Sequence, residues 1–436
     1  MNRKPNCIWI VCDQMPAHAL SCNGNPDTRT PHIDLLAKTG VNFTKAVSGF
    51  PLCCPYRGSM LTGLYPHECV PGHEYPLPPE KTTVADVFNE HGYHTAYIGK
   101  WHLDGFQERE GRAAFHVVSR ERRGRFQYWL GYENNNSQYD CYVHGGMPEI
   151  PPTRLNGYET DALTGLFIEH LNTLPDEKPF FAVLSVQPPH DPYAAPPEYM
   201  RRHTPASISL RKNVPDVGWV TEKARDELSG AYAMAENLDD NVGKVVKWLR
   251  DTGKYENTHI LFFSDHGDMH GSHGRFRKTI AYEESVRVPF IIGGGLPHYE
   301  GWRTGKTSCL INHVDIAPTS LGLCGINPPE SMRGTNYAGL RKSGAGLPLY
   351  PESAYLQSVI PTRHPDSEEF AWRGVVTADG YKYASFERMP WLMFDLNTDP
   401  YEQVNLAHNR EFKEKRDELQ QRLRQWIDDT GDSFEL

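Results

Sequence analysis

The segment Phe50-Pro51-Leu52-Cys53-Cys54-Pro55-Tyr56-Arg57 brings a nucleophile, a helix start and a guanidinium together in a short stretch of chain. Pro55 suits the first turn of a helix, where its missing N–H costs nothing. Cys53 then lies at or just before the helix N-terminus, where free backbone N–H groups and the macrodipole favour an anion. Arg57, four residues on, projects from the same face. Together these features describe a site for an oxyanion. The same residues also suit a buried structural thiol, because free cysteine is among the most buried residue types. Asp13-Gln14 and Asp265-His266 each follow a short apolar run. Their oxygen donors suit a hard cation, although an aspartate at such a position also serves as a helix cap. Lys100 and His102 flank Trp101, so on an extended segment both face one side. Taken singly, a lysine such as Lys278 or a histidine such as His190 is more often an ordinary solvated or core side chain.

Combined, the motifs resemble those of the type I sulfatases in the alkaline phosphatase superfamily. Cys53-x-Pro55-x-Arg57 followed by Leu61-Thr62-Gly63 is similar to the signature of that family. Asn6 to Gln14 resembles its opening strand and first metal segment. Thr30-Pro31-His32-Ile33-Asp34 with Gly40 and Phe43, Gly99-Lys100-Trp101-His102, and Pro189-His190-x-Pro192-Tyr193 resemble further segments, in the family's order. Ser264-Asp265-His266-Gly267 and the stretch from Lys278 to Pro289 resemble the second metal segment and its neighbour. Trp372 to Leu406 resembles the small C-terminal domain.

The resemblance implies that a formylglycine-generating enzyme oxidises Cys53 to formylglycine, whose hydrated aldehyde is the nucleophile. It implies a divalent cation, usually Ca2+, on Asp13, Gln14, Asp265 and His266. Lys100 would bind sulfate oxygens, and His102 would be the general base. His190 and Lys278 would hold and protonate the leaving oxygen. Arg57, Lys100, Lys278 and the cation would stabilise charge on the transferring group. The sequence departs from the common family pattern at two positions: Cys12 stands where many members carry Asp, and His266 where many carry Asn. The oxygen donors also suit Mg2+, and one fewer anion and an imidazole widen the metal choice to Mn2+ or Zn2+. A rival reading within the superfamily is a phosphonate monoester or phosphodiester hydrolase, whose members share the Asp-Gln and Asp-His pairing but generally lack the Lys and His found here as Lys100 and His102. A rival of another class is a non-catalytic sugar-binding or redox protein that uses Cys53–Cys54 as a vicinal pair.

Strand-like runs must position these residues. Asn6 to Cys12, Pro179 to Ser185 and His259 to Phe263 are short and nearly continuously apolar, as expected of strands buried on both faces of a parallel sheet. Ligands collect at the carboxyl ends of such strands, so Asp13, His190 and Asp265 are expected on one rim. Apolar residues from Leu228 to Leu249 recur at spacings of three and four, which predicts a long helix ending before Gly253. Pro31 to Gly40 predicts a shorter one. The alternation predicts an α/β fold over residues 1–345 with a large, mostly parallel sheet flanked by helices, and the family resemblance implies that it is alkaline-phosphatase-like. A smaller α+β domain is expected over 346–436, after a linker from Arg341 to Pro351. Its strands are expected at Trp372–Thr377, Tyr381–Phe386 and Leu392–Leu396, with a hairpin turn at Ala378-Asp379-Gly380 and a closing helix from about Arg410 to Ile427.

Composition bounds the function. The 436 residues carry 45 Lys plus Arg against 55 Asp plus Glu, a formal charge of −10, which weighs against nonspecific nucleic-acid binding. No run is long and apolar enough for a membrane span. The nine cysteines form no CxxC pair and cannot all pair within one chain. With no signal-peptide pattern, the sequence as written reads as cytoplasmic, or as periplasmic or secreted if a leader was removed. Arg109, Arg112, Arg120, Arg122, Arg123 and Arg125 cluster near Phe126, Tyr128 and Trp129. That cluster suits either a cleft for a sulfated glycan or a solvated charged loop. A sulfated carbohydrate is the expected substrate class, ahead of a small sulfate ester.

Overall fold

The computed structural model describes residues 3–295, 303–341, 350–362 and 367–436. The expected boundary at 345/346 and most of the expected linker lie at 342–349, outside the described residues. In chain order the strands of the main sheet are β1 (Asn6–Cys12), β2 (Val41–Phe43), β3 (His94–Lys100), β4 (Tyr128–Tyr132), β5 (Tyr142–Gly145), β6 (Ile150–Arg154), β7 (Phe180–Ser185), β8 (Thr258–Ser264), β9 (Phe290–Gly294) and β10 (Gly305–Thr307). They lie in the order β10-β2-β9-β8-β1-β7-β3-β4-β5-β6.

The five central strands, β8-β1-β7-β3-β4, are parallel. Outside them the sheet turns antiparallel at β9 and again at β5 and β6. The central register decides the site. Cys12 pairs with Ser264, so Asp13 and Asp265 leave neighbouring strands side by side. Ser185 pairs with Gly99, which brings Lys100 to the same edge. Gly99 is required at that point, because its φ is +113° and a Cβ would lie 1.8 Å from the Ser185 carbonyl oxygen.

Helices cover both faces: α1 (Pro31–Thr39), α2 (Cys53–Thr62), α3 (Val84–Glu90), α4 (Glu159–Asn172), the short α5 (Pro197–Met200), α6 (Gly218–Asp251), the short α7 (Glu283–Val286) and α8 (Ile316–Leu323). β1 shows why its run reads as continuously apolar. Cys7, Trp9 and Val11 enter a core shared with α2, α3 and α8. Ile8, Ile10 and Cys12 enter the opposite core with α1, α4 and α6. A strand whose side chains are buried on both faces has no polar alternation to display. Among the described residues no helix is long and apolar enough to cross a membrane.

The second sheet is antiparallel, in the order β11 (Ser353–Ser358), β12 (Trp372–Thr377), β13 (Tyr381–Phe386), β14 (Met389–Asp395). The expected hairpin joins β12 to β13. One face packs on α9 (Lys413–Thr430) through Val375, Tyr383, Leu419 and Leu423. The other packs on Val47, Ala281, Val286 and Leu310 of the first unit. In that contact Trp372 Nε1 donates to the carbonyl of Thr279 at 3.1 Å, which buttresses the segment carrying Lys278.

Candidate active site

The helix α2 begins at Cys53, with Pro55 in its first turn and all ten residues buried. It ends at Gly63 in the left-handed region (φ +66°), whose N–H donates to the Ser59 carbonyl. Thr62 Oγ1 donates to the Gly58 carbonyl and accepts from the Leu64 N–H, so the Thr-Gly pair stops the helix. Cys53 Sγ lies 3.2 Å from His266 Nε2, 3.7 Å from Asp13 Oδ1 and 3.8 Å from Lys278 Nζ. Residue 53 therefore lies beside three of the predicted residues. Burial, reinforced by Asp13, pushes its thiol up to about 12.

Asp13, Cys53, Asp265 and His266 place one donor atom each within 4.8 Å of one another. His266 Nδ1 donates to the Gly267 carbonyl at 3.0 Å, which puts the lone pair on Nε2. That lone pair faces Asp13 Oδ1 at 3.5 Å and Asp265 Oδ1 at 3.7 Å, and burial keeps the imidazole neutral. Two carboxylate oxygens and an imidazole lone pair converge on one region, an arrangement that a cation between them would satisfy. The donor set therefore fits a divalent ion. Gln14, at φ +67°, orients differently. Its Oε1 accepts from Lys278 Nζ at 2.5 Å, and its Nε2 donates to Asp191, Tyr193 and Asp268.

Arg57 has no exposed side-chain surface. Its two terminal nitrogens reach Asp13 (3.2 Å), Asp265 (3.1 Å), Ser185 Oγ (2.9 Å) and the Lys100 carbonyl (3.0 Å). Arg57 thus bridges the two carboxylates from within the core. Lys100 Nζ pairs with Asp13 Oδ2 at 2.8 Å. Burial alone raises the Asp13 carboxyl, but the cations Lys100 and Arg57 outweigh it and hold Asp13 well below the usual range.

The strand β3 stops at Lys100, and His102 takes φ +55°, so simple alternation does not carry past the strand end. Its imidazole lies beside His73, with ring centroids 5.7 Å apart. Burial next to Lys100 holds His102 far below an ordinary histidine. His190 donates from Nδ1 to the Asp191 carbonyl, and its Nε2 accepts from Lys278 Nζ at 2.8 Å. Burial, then Lys278, pushes it down to about 3. Both histidines are thus neutral in the physiological range. Gln14, His102, Arg277 and Thr279 all have positive φ. Backbone strain of this kind concentrates at functional sites.

A pH dependence follows from these shifts. As a general base His102 would act unprotonated, and burial holds it below the ordinary ~6.5, so the acid limb of kcat/KM is expected below pH 6.5. A measured pH–rate profile on a chromogenic ester checks this, and an acid limb at or above 6.5 contradicts it.

The structure also supplies residues that the motifs did not mark. Glu133 accepts from the backbone N–H groups of Leu103, Asp104 and Gly105, fixing the turn after His102. Asp268 accepts from Gln14 Nε2 (2.7 Å), Tyr193 and two backbone N–H groups, which sets the direction of the Gln14 amide. Only the position of Asp268, two residues after His266, hinted at it. The arginine cluster resolves differently from a free cationic cleft. Arg112 pairs with Asp140, Arg120 and Arg123 with Glu149, Arg122 with Asp104, and Arg125 with Asp86. The nine cysteines are all unpaired as disulfides.

A parallel sheet that delivers two aspartates, a helix-borne residue 53 and a lysine–histidine pair to one edge defines an ester hydrolase with alkaline-phosphatase-like architecture. Comparisons with known proteins narrow this. A sequence profile described as Sulfatase matches residues 5–326, and one for the C-terminal part of N-sulphoglucosamine sulphohydrolase matches 271–429. The "Ulvan-active sulfatase" of Formosa agariphila is 36% identical, over 99% of this chain and 82% of that protein. A solved Bacteroides thetaiotaomicron structure, from work on the metabolism of multiple glycosaminoglycans, superposes at TM-score 0.87 with 25% identity, covering 99% of this chain and 97% of its own. The phosphonate monoester hydrolase of Agrobacterium radiobacter shares the fold at TM-score 0.79 and 21% identity, covering 98% and 96%. The chain belongs to the sulfatase family and is a sulfuric ester hydrolase.

Proposed function

We propose that this enzyme hydrolyses sulfate esters on a sulfated carbohydrate, with residue 53 matured from cysteine to formylglycine by a formylglycine-generating enzyme. The observation that carries this reading is the position of residue 53 between Asp13, His266 and Lys278. A thiol pushed up to about 12 would be ionised in about one molecule in 10^5 at neutral pH, a poor state for a thiolate nucleophile. Formylglycine would supply a hydroxyl nucleophile at that position. His102, neutral and buried, acts as the base. Lys278, oriented by Gln14 Oε1 and His190 Nε2, donates a proton to the leaving alcohol oxygen. Lys100 holds Asp13 and adds positive charge where the sulfate binds.

Asp13, Asp265 and His266 would hold the divalent cation, with Gln14 as the neighbouring amide. The cation would supply charge stabilisation to the sulfate oxygens. Ca2+ is the proposed ion; the oxygen donors also suit Mg2+, and the imidazole donor admits Mn2+ or Zn2+. Chelation is expected to abolish turnover and leave the fold intact, with activity returning on re-addition. Circular dichroism alongside the assay checks this, and full turnover in demetallated protein contradicts it.

The carbohydrate assignment rests on the Formosa agariphila relative, whose name states activity on ulvan. A second reading, phosphonate or phosphodiester hydrolysis, draws on the Asp13-Gln14 and Asp265-His266 pairing, while the Lys100–Asp13 contact and the buried His102 favour sulfate. Paired assays on an aryl sulfate and an aryl phosphonate decide between them, and defined sulfated saccharides then fix the sugar. Phosphonate turnover exceeding sulfate turnover would reverse the assignment.

A further inference from the structure

Cys54 and Cys53 are neighbours on α2, and successive helical residues point about 100° apart. Cys53 faces the carboxylates. Cys54 faces the other way, towards the turn at His73 and the ring of His102. Cys54 Sγ and one ring nitrogen each of His73 and His102 lie within 4.8 Å of one another. Cys54 is fully buried and His102 is 3% exposed, whereas the His73 side chain is 24% exposed and opens the cluster to solvent. The Glu74 backbone N–H donates to Cys54 Sγ at 3.4 Å. Neither ring nitrogen of His102 has a hydrogen-bond partner, although the ring is buried. A buried imidazole in this state is directed at something the protein itself does not provide.

We propose that Cys54, His73 and His102 form a second metal site, for a thiophilic cation of the Zn2+ class, whose occupation switches the enzyme off. One thiolate and two imidazoles match the ligand preference of zinc and leave a fourth position for water. On binding, the Cys54 S–H bond breaks, its proton passes to solvent and a zinc–sulfur bond forms, with no change in oxidation state. Neutral imidazole has a single lone-pair nitrogen. Once His102 gives that pair to a metal it cannot take a proton, so the bound ion removes the base. This link rests on the proposed function, in which His102 is the base. The site is separate from the Asp13–Asp265–His266 set, which offers two carboxylate donors and suits a harder ion.

The test uses the mature enzyme with its catalytic cation loaded, titrated with Zn2+ while bound zinc is counted and aryl sulfate turnover followed. Co2+ serves as a spectroscopic stand-in for the thiolate bond. The expected result is one further zinc equivalent per chain, at least tenfold loss of turnover at saturation, and a cobalt–thiolate charge-transfer band. Cys54→Ser is expected to turn over like the wild type without zinc, to lose the band, and to need at least tenfold more zinc for inhibition. His73→Gln gives an independent shift in zinc sensitivity should the serine variant fold poorly. Absence of the extra equivalent overturns the proposal. So does inhibition of Cys54→Ser at the wild-type zinc concentration, which would locate the effect at the catalytic cation. Extra zinc bound with turnover unchanged overturns it as well. An unmodified thiol at residue 53 in active enzyme sinks the functional reading alone, since the zinc equivalent is read without reference to turnover.

Discussion

Cys53→Ala is expected to lower turnover of an aryl sulfate by about 10^4-fold or more, the scale on which removal of a covalent nucleophile acts. The loss should fall on kcat. The side chain sits among Asp13, His266 and Lys278, and every one of those partners has other contacts that remain when the sulfur is gone. Asp13 keeps Lys100 and Arg57, His266 keeps the Gly267 carbonyl, and Lys278 keeps Gln14 and His190. The fold should therefore survive, because one small buried group contributes only about 1 kcal/mol of transfer energy. Mass spectrometry of the peptide containing residue 53 accompanies the assay, and in wild-type enzyme it is expected to report formylglycine. Alanine enzyme with near-wild-type turnover would show that residue 53 is not the nucleophile.

Arg57→Leu carries the opposite signature, with a large effect on stability as well as on rate. The guanidinium is fully buried between Asp13 and Asp265, two carboxylates that are themselves inaccessible. Replacing one partner of a buried ion pair leaves charge uncompensated, at a cost of about 3–5 kcal/mol. Asp13 retains Lys100, but Asp265 Oδ2 has no hydrogen-bond partner and Arg57 is the cation beside it. The pH sign follows from Asp13, whose folded value is depressed well below the ordinary carboxylate. A depressed carboxyl contributes stability above its unfolded value of about 3.9 and loses it as pH falls through the folded one. The gap between wild type and Arg57→Leu in metal-free protein should thus be widest near neutrality and close in acid. Urea denaturation at several pH values reads it out. Adding Asp265→Asn to Arg57→Leu should recover about 1–3 kcal/mol through the shared contact. A constant gap across pH would mean that lost packing, and not charge, sets the cost.

The two variants separate two kinds of knowledge about this protein. The motif around Cys53 is local: its spacing, Pro55 and the Thr62-Gly63 stop are all set within one short helix, so its chemistry is visible in the chain itself. The buried runs ending at Cys12, Ser185 and Ser264 are visible for the same reason, since burial on both faces leaves a continuous apolar signal. Much of the rest depended on partners distant in sequence. The antiparallel returns at β9 and at β5–β6 depend on which edges meet, and strand direction leaves no mark on local periodicity. The arginines between Arg112 and Arg125 look like a cationic surface until Asp86, Asp104, Asp140 and Glu149 are brought to them. Arg57 lies in the signature, yet its engagement with Asp265 across more than two hundred residues needed the pairing of β1 with β8.

The sequence by itself determined which side chains can do chemistry and the α/β class that carries them, because helix and strand periods, caps and glycine stops act over a few residues. Only the tertiary structure decided where those side chains point. His102 leaves its strand with φ +55° and meets Cys54 and His73, while Gln14 turns its amide to Lys278 and Asp268. The physical reason is range. Backbone preferences are short-ranged and written in neighbouring residues, whereas ion pairs, lone-pair directions and metal-binding geometry arise through space once the register of the sheet has been fixed.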